Sequence, residues 1–219
     1  MRVRRLTPLV SITLLAGALW VLHRELAAHH PRDIGRAIAA LPHTTVLAAL
    51  ALTALSYGVL PAYDALALRY LGRSLGIART LLTGFTAYAF SQTLGFPLLT
   101  GGSIRYRFYA AWGLSSAEIG QLIAFTSLTL WLGALAVGGF ALATAAPTAL
   151  AHFPLPLGVT RGLGVLAAAV PLSYGLACLL RRGPINVRGW EIPVPTPGLV
   201  AAQAVLGVAD WLLAATVLW

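Results

Sequence analysis

The sequence predicts an all-α, polytopic membrane protein, a helix bundle that crosses a bilayer several times and includes one re-entrant helical hairpin. Hydrophobic residues make up 58% of the 219 and charged residues only 10%, with a mean hydropathy of +0.82. Soluble domains carry about 25% charged residues, so there are too few charges here to coat a soluble surface. Apolar residues gather in runs at about 6–22, 45–68, 80–99, 118–145, 161–180 and 197–219, each near the ~20 residues that a spanning helix needs. The arginines sit in short clusters at the ends of those runs, a pattern of membrane topology rather than of nucleic-acid binding.

Net charge is +9 and all 15 basic residues are arginine. Codon bias in an Ala- and Leu-rich genome explains such a composition, and guanidinium forks also suit bidentate contact with lipid phosphates. Cys178 is the single cysteine, which excludes an intrachain disulfide or a cysteine zinc site. His23, His29, His30, His43 and His152 lie outside the apolar runs without metal-ligand spacing, so neither metal nor cofactor is expected. Met1-Arg-Val-Arg-Arg5 before the first run reads as a signal anchor, the run being long for a signal peptide and lacking a small-x-small cleavage site.

With Arg2, Arg4 and Arg5 inside, the first run exits and the second returns, leaving Arg69, Arg73 and Arg79 in the cytoplasm. If the run at 80–99 crosses, eight arginines fall outside and seven inside. If it dips in and returns, eleven stay inside, including Arg105, Arg107, Arg181, Arg182 and Arg188, and four fall outside. Gly95-Phe-Pro97 interrupts the helix and Gly101-Gly102 follows closely. The expectation is therefore a re-entrant hairpin over 80–102 and a cytoplasmic N-terminus. Non-helical backbone at membrane depth must be buried in protein or line a wet cavity. Ser91, Gln92, Thr93 and Thr100 are the polar side chains near the break; they either satisfy freed backbone groups or mark a substrate path.

Asp64 and Asp210 interrupt apolar runs and, facing lipid, would each cost about 2.5–3.5 kcal/mol, so both should face the interior. A buried partner such as Arg69, Tyr63 or a backbone amide accounts for such a carboxylate structurally; a proton relay or a counter-charge to a cationic headgroup does so functionally. Their similar contexts hint at an internal repeat, whose second half would continue past Trp219. In Thr100-Gly-Gly-Ser-Ile-Arg-Tyr-Arg-Phe-Tyr-Ala-Ala-Trp-Gly113 the glycines suggest a tight turn, Ser103 a cap for the helix after it, and the arginines and aromatics an interfacial helix. This segment reads either as an aromatic belt with topogenic arginines or as a headgroup site, in which Gly101, Gly102, Ser103, Arg105 and Arg107 meet an anionic phosphate. Ser115-Ser-Ala-Glu118 is a capping box. No Walker loop, dinucleotide fingerprint, nucleophile elbow or HExxH is present.

Ser56-Tyr57, Tyr63-Asp64-Ala-Leu-Ala-Leu-Arg-Tyr70, Ala87-Tyr-Ala-Phe-Ser91, Leu94-Gly95-Phe96, Leu98-Leu-Thr-Gly-Gly-Ser-Ile-Arg-Tyr-Arg107 and Trp112-Gly-Leu114 together resemble the bacterial lysyl-phosphatidylglycerol synthase/flippase family, the multiple peptide resistance factor. The resemblance runs from about 50 to 140 and more weakly to the end. It implies a partial transmembrane flippase domain over 1–219 in a bacterial inner membrane, translocating phosphatidylglycerol or its aminoacyl derivative and so aiding resistance to cationic antimicrobial peptides. The cytosolic domain that transfers an amino acid from aminoacyl-tRNA has no counterpart in these residues. Alternatives are a membrane platform that delivers phosphatidylglycerol to an attached lysyltransferase, and a non-transporting scaffold. A homo-oligomer is compatible with each.

Overall fold

The computed structural model describes residues 39–94, 97–149, 155–181, 183–187 and 190–218, with isolated positions 17, 19, 20 and 24. The chain divides into two compact units, 1–49 and 50–219, and the expected span at 6–22 falls largely outside the described residues.

Among the described residues, Leu/Ala-rich sequence yields four helices long and apolar enough to cross a membrane: α1 (His43–Tyr70), α4 (Ser116–Thr144), α5 (Leu157–Leu180) and α6 (Pro197–Leu218). Between α1 and α4 lie two shorter helices, α2 (Ile77–Leu94) and α3 (Pro97–Ala111). The runs expected at 45–68, 118–145, 161–180 and 197–219 thus correspond to α1, α4, α5 and α6. A two-stranded antiparallel hairpin, β1 (Ile185–Val187) and β2 (Trp190–Ile192), pairs Ile185 with Ile192 between α5 and α6. It was not expected from sequence, and it leaves the architecture an all-α membrane bundle.

The polarity of the fold is that of a membrane protein. Val165, Leu166, Leu172 and Leu180 on α5 and Val205 on α6 are 59–74% exposed, while Asp64, Arg105, Thr129 and Gln203 are at most 5% exposed. Apolar outside and polar inside is stable only where lipid is the solvent. Interhelical hydrogen bonds satisfy that interior: Gln203 Nε2 donates to Thr129 Oγ1 at 2.8 Å, and Tyr174 OH donates to Gln203 Oε1 at 2.9 Å. Glycine allows the backbones to close up. A Cβ at Gly139 would lie 2.6 Å from Ala168 N, and one at Gly133 would run into the Gly207 backbone.

Glycine also ends two helices. Gly72 (φ +67°) and Gly113 (φ +87°) adopt the left-handed conformation, and Arg73 N and Leu114 N donate back to Leu68 O and Tyr109 O. Both ends are Schellman motifs, which absorb the last carbonyls of α1 and α3. The expected capping box opens α4: Ser115 Oγ accepts from Glu118 N, and Glu118 Oε2 accepts from Ser115 N at 2.8 Å.

Helices α2 and α3 form an antiparallel hairpin that returns to the end from which it started. Gly101 packs on Ser91 and Ala87, while at the other end of the pair the Arg79 guanidinium lies 5.5 Å from the Trp112 ring. That end also carries the Arg73–Glu118 ion pair (2.6 Å) and the hydrogen bond from Tyr70 OH to Pro193 O (2.7 Å). The connectors 71–76, 112–115 and 193–196 therefore share one end of the bundle. The α4–α5 connector is at the other, where Arg161 Nη2 donates to Ala145 O.

Two expectations need correction. The hairpin extends over 77–111 rather than 80–102, and no turn occurs at Gly101-Gly102, which lie inside α3. Pro97 already occupies the start of that helix, where its fixed φ and missing N–H are tolerated. The glycines serve close packing instead, and Ser103, seven positions into the helical run, is not its cap.

Candidate functional site

On α1, Leu60, Tyr63, Asp64 and Ala67 recur at helical spacing and are all buried. This inward stripe meets another on α3, Gly101, Arg105 and Tyr109, spaced four apart and likewise buried. Where they meet, Arg105 Nε donates to Asp64 Oδ1 and Oδ2 (3.0 and 3.1 Å), Arg105 Nη2 donates to Oδ1 (2.8 Å), and Tyr109 OH donates to Oδ2 (2.6 Å). The Asp64 carboxylate is fully satisfied by this fork and phenol. Its cationic partner is Arg105 from another helix, not the nearby Arg69 that the sequence suggested, because residue 69 is half a turn away from the inward stripe.

Arg105 in turn lies under an aromatic roof. Its Cζ is 4.6 Å from the Tyr88 ring centroid on α2, and the Tyr88 ring is 5.9 Å from that of Tyr63. Tyr63 OH donates to Asp210 Oδ2 at 2.8 Å. The Tyr63 hydroxyl thus serves Asp210 rather than its sequence neighbour Asp64. The two interior aspartates, 146 positions apart, are linked through Arg105, Tyr88 and Tyr63.

These groups border a cavity of about 330 Å³. Its polar wall comprises Ser56, Tyr57, Tyr88, Ser91, Gln92, Arg105, Thr126, Ser127 and Asp210; Leu60, Ile123, Leu130, Trp211 and Ala214 complete it. Since Ser91 and Gln92 share this wall with Ser56 and Tyr57, the end of α2 lies level with the middle of α1. The cavity is therefore at mid-bundle depth. A polar chamber at that level, bordered by a pair of short helices, is where a membrane bundle tolerates polar groups.

The expected site residues divide into groups. Arg105, Ser91, Gln92 and Asp210 line the cavity, and Asp64 holds Arg105 from behind. Ser91 Oγ donates to Ala87 O at 2.6 Å and Thr93 Oγ1 to Ala89 O at 2.8 Å, so both satisfy local carbonyls. Arg107, Ser103 and Thr100 line a different cleft, of about 750 Å³, with Thr86 and Phe90. Arg107 is exposed, about 200° around the helix from Arg105. The two arginines do not converge on a single phosphate. Gly101 packs α3 closely on Ala87 and Ser91 of α2, and Gly102 packs toward Ile123. Tyr88 and Tyr109 were missed as site residues; the four-residue spacing from Gly101 through Arg105 to Tyr109 was the available signal.

No model of a known protein family matches the chain. It is 30% identical over all 219 residues to the protein slr0712 of Synechocystis sp., and spans 68% of that protein. The chain belongs to the slr0712 family. Over 188 residues, 85% of the chain, it is also 23% identical to the inner membrane protein YbhN of Escherichia coli, spanning 59% of it. These relatives are longer than the chain. Together with the four apolar helices, the match makes this member of the slr0712 family a multi-pass membrane protein.

Proposed function

We propose that the chain is the membrane part of a phospholipid translocase in a bacterial inner membrane, and that it carries phosphatidylglycerol or an aminoacyl derivative. The observation that supports this reading is the mid-depth polar cavity with Arg105 in its wall. Asp64 engages Nε and Nη2, and Arg105 still lines the cavity, where a guanidinium suits a phosphodiester. The apolar outer faces of the bundle suit acyl chains, so a headgroup in the cavity and tails in lipid fit the amphipathic cargo. The resemblance to the lysyl-phosphatidylglycerol synthase/flippase family, carried by residues 56–114, points to the same class of lipid. The name of YbhN and the arginine bias agree with an inner membrane in which the end bearing Arg73 and Arg79 faces the cytoplasm.

The test is movement of fluorescent phosphatidylglycerol between leaflets of liposomes containing the purified protein. The proposal predicts faster exchange than in protein-free liposomes and a several-fold loss in Arg105→Lys, which keeps the charge but not the fork. Equal exchange with and without protein rejects it. A platform that only presents lipid to an attached lysyltransferase would bind the label without moving it.

A further inference from the structure

We propose that Asp210 binds a proton together with the anionic headgroup, so that lipid and proton occupy the cavity as a pair and translocation responds to the proton gradient. This deepens the lipid-translocation reading and rests on it. The two intramembrane aspartates are not equivalent. Asp64 accepts four hydrogen bonds from Arg105 and Tyr109, and its charge is met by the guanidinium. Asp210 accepts one, from Tyr63, and has no ion-pair partner among the described residues, although it is only 7% exposed.

The groups facing it leave little to balance a second negative charge. On α1 these are Tyr57 and Tyr63, with Asp64 behind them; on α2, Tyr88; on α3, Arg105, with Tyr109 behind it. Helix α4 offers only the hydroxyls of Thr126 and Ser127, and α6 adds the neighbouring Trp211. Arg105 is the one cation of this set, and Asp64 already matches it. A phosphodiester entering beside an ionised Asp210 would set three negative charges around one guanidinium, in surroundings where charges are weakly screened. A proton on Asp210 removes one of the three.

Proton binding and anion binding therefore favour each other, and by linkage the effect is reciprocal. The Tyr63 hydroxyl fits both states, because it donates to a carboxylate and, on rotation, accepts from a carboxylic acid. The balance is simple: a proton from water joins Asp210 as the headgroup enters and returns to water as the headgroup leaves.

The experiment is to add short-chain phosphatidylglycerol to the detergent-solubilised protein in weakly buffered solution, with a pH-sensitive dye. The expected result is uptake of about one proton per lipid bound, as one linked carboxylate requires, and none in Asp210→Asn. Binding without uptake in the wild type, or undiminished uptake in Asp210→Asn, overturns the inference. Should Asp210→Asn fail to fold, Tyr63→Phe decides: the phenol's bond to the ionised carboxylate is the stronger of the two, so its loss must raise the pH midpoint of lipid binding, and an unchanged profile overturns the inference. Leaflet exchange without proton uptake leaves the translocation reading standing and rejects only the coupling. Proton-linked binding without leaflet exchange rejects translocation, and with it the response to a gradient, and leaves only the paired occupancy of the cavity.

Discussion

Asp64 and Arg105 are a buried ion pair in which each side chain makes the other tolerable. Removing one partner strands a charge away from water, so Asp64→Ala or Arg105→Ala should lower stability by about 3–5 kcal/mol. Replacing both with apolar residues of similar size, Asp64→Leu with Arg105→Met, should recover most of that loss. Thermal unfolding in detergent measures all three variants, and single variants as stable as the double would refute the pairing. The carboxylates were legible in the sequence because an acid within an apolar run must turn inward. Tyr63 was among the partners the sequence offered and does bind one of them, Asp210, but Arg105 was not, since it reaches Asp64 only once α3 packs on α1. Reading residues 105–112 as an interfacial helix of arginines and aromatics did not separate its two faces: Arg105 and Tyr109 face the core, and Arg107 does not.

The helices approach closely where two glycines meet, and that contact is specific to single positions. A Cβ at Gly139 would press on the α5 backbone, whereas one at the adjacent Gly138 meets nothing within 4 Å. Gly139→Val should therefore destabilise the bundle by about 1–3 kcal/mol through overpacking, and Gly138→Val much less; equal melting temperatures would contradict the α4–α5 packing described. Helices α1, α4, α5 and α6 were readable to within a few residues because lipid demands long, uninterrupted apolar runs. The hairpin α2–α3 was readable as an interruption, but its extent was not. Gly101-Gly102 looks like a turn locally, yet the close approach of α2 makes it helix. The strands β1 and β2 have three residues each in a Gly- and Pro-bearing connector, too short to leave an alternation in sequence.

At the scale of the whole molecule, one hairpin sets the direction of every later helix. If α2 and α3 enter and leave by one face, α4, α5 and α6 cross in turn, and the arginine-bearing connectors gather at one end, as the charge bias anticipated. The contacts of Arg79 with Trp112 and of Arg73 with Glu118 bring the start and the finish of the hairpin to the same level. The end of α2, through Ser91 and Gln92, then borders the cavity lined by Arg105 and Asp210. The direct measurement is labelling of single cysteines with a membrane-impermeant maleimide in sealed vesicles of known orientation, after Cys178→Ser. Ser74→Cys, Ala117→Cys and Gly183→Cys should react from one side only, and Thr148→Cys only from the other. Reaction of Ala117→Cys from the side opposite Ser74→Cys, with Thr148→Cys reacting from the side of Ser74→Cys, would mean that the hairpin crosses the membrane, and the account would fail.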